Sequence, residues 1–237
     1  MAGGTFTSEN KVRPGVYIRF TSSRSLELTV SDRGTVAIAE ALSWGPVGTV
    51  QTIEAGADMT PYTGYDATNT KNLFLQEIFK GTNRTAAPRT VLLYRLGATG
   101  QAQATATVEP LTATAKYPGT RGNDISIVIT ALTTPENTFT VSTVVDGDIV
   151  DQQTARTVAD LVANDWVNWS GTGALNATTG ANLANGVDGT PASSNYSNFL
   201  TAIEPYKFDV LIYDGSDATV QNAMVAFVKR MNEEAGT

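Results

Sequence analysis

At Gly97 the chain changes texture, and that change constrains its fold more than any single motif. Up to that point, short runs of β-branched and aromatic residues alternate with helical stripes, the pattern of an α/β layer structure. Residues 98–186 are instead rich in Thr, Ala, Asn and Gly, with short stretches in period-two alternation. Such stretches read as half-buried antiparallel strands. From Ser193 the α/β texture returns. The expected fold is therefore an α/β unit, a mixed sheet with flanking helices, interrupted by an inserted β-rich, sandwich-like domain. The boundaries expected are an N-terminal arm and strand at 1–20, a discontinuous core formed by 21–97 plus 187–237, and the insert at 98–186.

In the first segment, Pro14-Gly15 leads into Val16-Tyr17-Ile18-Arg19-Phe20, a five-residue strand. Val16, Ile18 and Phe20 share one face, and Tyr17 and Arg19 the other. A second strand is expected over Thr35–Ala41, with Val36, Ile38 and Ala39 inward, followed by a turn at Trp44-Gly45-Pro46-Val47-Gly48. Thr70–Lys80 reads as a helix, with a stripe at Leu73, Phe74, Glu77 and Ile78 and a stop at Gly81. Thr90–Arg95 is a nearly continuous apolar run, as in a strand covered on both faces.

Within the insert, strands are expected at Ala102–Val108, Asp124–Thr130, Thr138–Val145 and Asp148–Gln153. Asp146-Gly147 between the last two predicts a type I′ hairpin. Thr157 with Asp160 three residues on predicts a capped helix over Val158–Trp166, and Ser170–Gly186 reads as loop. Beyond the insert, Ser193 or Ser194 should cap a helix carrying Tyr196, Phe199, Leu200 and Ile203, ended by Pro205. Phe208–Tyr213 reads as a buried strand, and Ala218–Glu234 as a helix with the stripe Val220, Met224, Phe227, Val228 and Met231. In such folds a helix normally leads into another strand, so further C-terminal polypeptide is expected in the natural protein.

Composition narrows the function. The 237 residues include no His and no Cys, and only 16% are charged. Most enzymes of this size draw proton transfer, nucleophilic attack or soft-metal binding from those two residue types. No phosphate cradle of the GxxxxGK[ST] or GxGxxG kind is present. Catalytic, cofactor and metal sites are all expected to be none. The net charge of −7 and the scattered Lys and Arg argue against nucleic acid as a partner. No apolar stretch reaches the ~20 residues of a membrane span, and the first residues lack the basic and apolar regions of a signal peptide.

Several sharper readings have plainer rivals. Asp214 and Asp217, after a strand and at a helix start, could be a carboxylate metal pair of a hydrolase; a turn and a helix cap explain them more simply. Tyr117-Pro118-Gly119-Thr120-Arg121-Gly122-Asn123-Asp124 has the glycines of an anion-binding loop, but a demanding loop with an Arg121–Asp124 ion pair accounts for them equally. Trp44, Trp166 and Trp169, with Tyr62 and Tyr65, could line a sugar site or be buried in core or interface.

Four stretches in order carry a family resemblance: Arg13-Pro14-Gly15-Val16-Tyr17-Ile18-Arg19-Phe20, Ala39–Gly48, Ala115–Ile125 and Phe208–Gly215. Together they resemble the sheath proteins of contractile phage tails and related particles, over about Lys11 to the C-terminus. The resemblance implies an α/β core with a β-sandwich-like insert in a longer chain whose C-terminal domain faces the tail tube. It implies a non-enzymatic subunit that polymerises with itself as stacked rings around a tail tube protein and contracts to drive the tube through a cell envelope. The location implied is a virion tail or phage-like particle, with synthesis in the bacterial cytoplasm and no direct membrane insertion. From pattern alone the strand Val16–Phe20 belongs in its own subunit; the resemblance tips the balance towards an arm that pairs with a neighbour. Two rivals remain: a β-rich surface-binding or decoration module, and the carboxylate-based hydrolase.

Overall fold

The structure is a computed structural model that describes residues 34–81 and 86–235. The arm strand expected at Val16–Phe20 lies outside the described residues. In chain order the elements are β1 (Thr35–Glu40), β2 (Val50–Glu54), α1 (Thr60–Thr63), α2 (Leu73–Lys80) and β3 (Thr90–Arg95). Seven strands follow: β4 (Thr105–Val108), β5 (Leu111–Ala115), β6 (Ile125–Ala131), β7 (Phe139–Val145), β8 (Asp148–Ala155), β9 (Val167–Gly171) and β10 (Thr178–Asn182). The chain closes with α3 (Ser193–Ile203), β11 (Val210–Ile212) and α4 (Ala218–Ala235).

One sheet has the order β11-β1-β3-β2. β1 runs parallel to both β11 and β3, and β2 returns antiparallel to β3. Alternation along β1 and β3 divides the core by face. Ala37, Ala39, Leu92 and Tyr94 pack under Phe199, Leu200 and Ile203 of α3 and Val220, Met224 and Phe227 of α4. Val36, Ile38, Val91 and Leu93 meet Ile53, Met59 and Leu75 on the other side. β3 is buried over its last five residues, as its unbroken apolar run predicts.

The insert consists of two antiparallel sheets, β10-β6-β7-β8 and β4-β5-β9. Ile125, Ile127 and Ile129 of β6, with Val141 and Val145 of β7, face Leu111, Ala113 and Ala115 of β5 and Val167 of β9 in one core. The β7–β8 turn is the expected type I′ hairpin: Asp146 and Gly147 have φ of 54° and 91°.

Five expectations need correction. Val158–Trp166 is not a helix. Its first turn forms at Val158–Asp160, where Asp160 accepts from the Thr157 amide at 2.9 Å. Leu161 is then extended, because side chains offer the backbone better partners: Gln153 both donates to and accepts from Val162, and the Asn164 amide oxygen takes the Trp166 and Val167 N–H groups. Ser170–Gly186 is not all loop, since it ends β9, holds β10 and buries Leu175 and Leu183. Thr70–Lys80 opens with a 3₁₀ turn at Thr70–Asn72, and α2 buries Leu75 while Leu73 is exposed. Neither Ser193 nor Ser194 caps α3; the Asn195 side chain reaches back to the Ala192 amide at 2.7 Å. Phe208–Tyr213 contributes only the three-residue strand β11, with Val210 half exposed, because β1 is its one paired neighbour among the described residues.

Candidate interface: an arginine-locked junction and a carboxyl pair at the sheet end

The insert and the α/β sheet meet at the segment Tyr117–Asp124, and almost every residue in it makes a long-range tie. Tyr117 packs edge-on against Trp44, ring centroids 5.3 Å apart. The Pro118 carbonyl accepts from Arg95 Nη2 at 2.6 Å. Gly119 lies against the Ser43 carbonyl with φ of 131°, where a Cβ would strike it. Thr120 gives its N–H and Oγ1 to Asp188 at 2.7 and 2.8 Å, joining the two chain crossings. Antiparallel bridges Thr99–Thr190 and Ala102–Val187 run beside them.

Arg121 is the centre of the junction and is only 4% exposed. Its Nε donates to the Gly64 carbonyl at 2.9 Å, at the left-handed end of α1. Nη1 reaches Asp124 Oδ2 at 3.0 Å, and Nη1 and Nη2 together hold both oxygens of Asp146, at 2.8 and 2.5 Å. The guanidinium lies 4.2 Å from the Tyr65 ring centroid. Burial works against its charge, but the two carboxylates outweigh that and raise its pKa. The same hydrogen bonds hold Asp146 below the usual carboxylate range.

Arg95, at the end of β3, is the second lock. It is 2% exposed and donates Nη1 to the Gly45 carbonyl at 2.7 Å as well as Nη2 to Pro118. Desolvation lowers its pKa to about 10, with Asp188 acting in the opposite direction. A buried fork on carbonyls fixes direction as well as distance. Trp44 and Trp166 fill the adjoining space, centroids 4.9 Å apart.

These contacts decide three sequence readings. Arg121 spends its donors on protein groups, so the structural reading of the 117–124 loop holds over the anion-binding one. Trp44 and Trp166 bury each other, as core tryptophans do. Asp217 caps α4, accepting from the Thr219 amide at 2.7 Å and from Ser193 Oγ at 2.8 Å. No group of three or more metal-ligating side chains occurs among the described residues.

Asp214 does something the sequence did not reveal. It sits beside Glu40, at the C-terminal ends of the parallel strands β1 and β11. Burial, then the charge of Asp214 and a hydrogen bond with it, push Glu40 up to about 7. One Glu40 oxygen, Oε1, is enclosed without a hydrogen-bond partner. Tyr196 is pushed up to about 12, chiefly by burial and then by Tyr213, Asp214, Glu40 and Asp217.

Substitution at Gly119 tests the junction's close approach. Gly119→Ala should destabilise by more than about 2 kcal/mol in thermal denaturation, through both positive φ and a backbone clash. Gly100→Ala, also at positive φ but in open space, should cost only about 1 kcal/mol. Equal losses would mean that the Ser43 contact is unimportant.

The family described as "Phage tail sheath protein beta-sandwich domain" matches residues 98–188, the stretch that forms the insert. The "Tail sheath protein Gp18 domain III N-terminal region" matches residues 33–96. The chain belongs to the phage tail sheath family. The phage-like element PBSX protein XkdK of Bacillus subtilis is 35% identical to this sheath chain over 257 residues, covering 100% of the chain and 53% of the relative. The uncharacterized protein YqbK of the same organism matches with the same identity and coverage. Among solved structures, a sheath tail protein from Desulfitobacterium hafniense superposes with a TM-score of 0.80 at 42% identity, over 94% of this chain and 51% of that one. One from Listeria innocua gives 0.76 at 30% identity, over 88% and 47%. The sheath chain thus spans about half the length of the curated relatives it matches.

Proposed function

We propose that the chain acts as a structural, non-enzymatic subunit of a contractile tail sheath, polymerising around a tail tube and contracting to drive it through a cell envelope. Such a subunit belongs to a virion tail or phage-like particle and is made in the bacterial cytoplasm. Its partners are further copies of itself in stacked rings and the tube protein. The observation that carries the reading beyond family membership is the junction. Arg121 and Arg95, both buried, tie the β-rich insert to the sheet through carbonyls on the other side. A unit joined in this way transmits force as one body, which a lattice that changes its helical geometry requires of each subunit.

The division into an arm at 1–20, a core of 21–97 plus 187–237 and an insert at 98–186 is part of this proposal. So is the role of Val16, Tyr17, Ile18, Arg19 and Phe20 as a strand that adds to a neighbour's sheet. Such an arm lets subunits slide without separating. Negative-stain electron microscopy at high protein concentration, with and without a tail tube protein, tests the reading. Striated hollow cylinders support it, and persistent monomers in both conditions overturn it. Deleting residues 1–20 should leave a folded, soluble subunit with impaired assembly; normal assembly would remove the arm from the proposal.

A further inference from the structure

Four bonds of the Asp-Gly or Asn-Gly kind occur in the chain: Asp146-Gly147, Asn185-Gly186, Asp188-Gly189 and Asp214-Gly215. Such bonds are chemical weak points, because a following Gly has no Cβ to keep its backbone nitrogen from the preceding side-chain carbonyl carbon. Ring closure between the two needs a nitrogen without another partner, a side chain able to turn towards it, and a proton for the departing group. The fold withholds one of these at three sites. Arg121 holds both oxygens of Asp146 and keeps that carboxyl ionised. At Asn185 the nucleophile is tied, since the Gly186 N–H donates to Asn123 Oδ1 at 2.8 Å and the Gly186 carbonyl accepts from Asn123 Nδ2 at 3.0 Å. Asp188 is fixed by the Thr120 N–H and hydroxyl, and Gly189 is wedged against Thr99 and Gln101, where a Cβ would come within 2.9 Å of both backbones.

Asp214-Gly215 is held differently. Residues 213–217 form neither helix nor strand, and Asp214 is exposed. No described residue accepts from the Gly215 N–H. The neighbour of the Asp214 carboxyl is a second carboxyl, Glu40, and a hydrogen bond between two carboxyls contains a proton. The other titratable groups about the pair are Tyr196 of α3 and Tyr213 and Asp217 of the loop. Arg95, beside Glu40 in the β1–β3 register, gives its terminal nitrogens to the Gly45 and Pro118 carbonyls. We infer that Asp214-Gly215 is a self-modification site, at which the chain converts Asp214 to isoaspartate with Glu40 as the internal acid. The Gly215 nitrogen attacks Asp214 Cγ and closes a succinimide. One Asp214 oxygen leaves as water, taking the Gly215 amide proton and the proton shared with Glu40, which remains as a carboxylate. Water then opens the ring at the Asp214 α-carbonyl, breaking its bond to the Gly215 nitrogen, and a proton returns to Glu40. The product lengthens the backbone between β11 and α4 by one methylene, just ahead of the Asp217 cap.

The test ages the folded 237-residue chain in water enriched in heavy oxygen, with a sample unfolded in guanidinium chloride alongside. Peptide mapping then reads heavy-oxygen uptake at each Asp-Gly and Asn-Gly bond, and isoaspartyl methyltransferase labelling confirms the isoaspartate. In the folded chain Asp214 should convert at least about tenfold faster than Asp146 or Asp188, whereas the three should convert at similar rates when unfolded. Glu40 holds its proton up to about pH 7, so the folded rate at Asp214 should fall as pH rises through that value. Glu40→Gln should slow Asp214 about tenfold in the folded protein and leave the unfolded rate unchanged. Conversion of Asp146 or Asp188 as fast as Asp214 in the folded chain would overturn the inference. An unchanged folded rate in Glu40→Gln would remove Glu40 as the acid and overturn it equally. Assembly into a sheath plays no part in this chemistry, so the outcome is independent of cylinder formation in the microscope.

Discussion

Arg121→Met is expected to lower the stability of the protein by about 3 kcal/mol. The substitution leaves the Gly64 carbonyl without its donor in a buried position and removes the cation from the Tyr65 ring. Asp124 and Asp146 keep 50% and 59% of their side-chain surface, so water can still serve the released carboxylates. That exposure holds the loss at the low end of what breaking a buried ion pair costs. Arg121→Lys should recover less than half, because an ammonium cannot hold both oxygens of Asp146 and the Gly64 carbonyl at once. Denaturant unfolding followed by tryptophan fluorescence reads the effect. A loss under about 1 kcal/mol would show that the junction is held by its apolar contacts alone.

Glu40→Gln should remove most of the pH dependence of stability near neutrality. The unfolded carboxyl titrates near 4.5 and the folded one near 7. Between those values the folded state keeps a proton that the unfolded state has released, so stability falls as pH rises through the window. It is lowest above pH 7, where a charged Glu40 faces Asp214. Allowing for solvent screening, the wild-type chain should lose roughly 2 kcal/mol between pH 4.5 and 8. Gln keeps the shape of the side chain without the charge. The variant should therefore be the more stable protein at pH 8 and match the wild type near pH 5. Parallel unfolding profiles across that range would refute the assignment.

What the sequence revealed of this fold follows from which elements carry strong periodicity. β1, β3, α3 and α4 announce themselves through apolar residues at the spacing their burial demands, and the β7–β8 hairpin through Asp146-Gly147. β5, β9 and β10 do not: Thr, Ala, Asn and Gly dominate β5 and β10, β9 offers only Val167 and Trp169 in five residues, and strand formation rests on neighbours that local pattern cannot supply. Val158–Trp166 misleads for the opposite reason: its cap is real, but Gln153 and Asn164 then capture the backbone. At the junction, the demanding loop 117–124 and its Arg121–Asp124 pair were legible. Gly64, Asp146 and Asp188 were not, because they lie 57, 25 and 68 residues from their partners in the loop. The role of Arg95 had one faint signal, a lone cation closing an apolar strand. The arm at Val16–Phe20 lies outside the described residues.

The packing of Trp44 on Trp166 has an experimental consequence. The first indole belongs to the turn after β1, the second to the insert, and only Trp169 shares the tryptophan spectrum with them. Two indoles at this separation couple in the near ultraviolet and lose that coupling when they part. The protein therefore carries a label-free optical gauge of whether its two halves stay joined. Since the chain has no Cys, thiol dyes can be installed elsewhere at chosen positions without competing background. Dichroism of the indole pair, recorded while such dyes report on neighbouring subunits, would separate deformation within a subunit from movement between subunits.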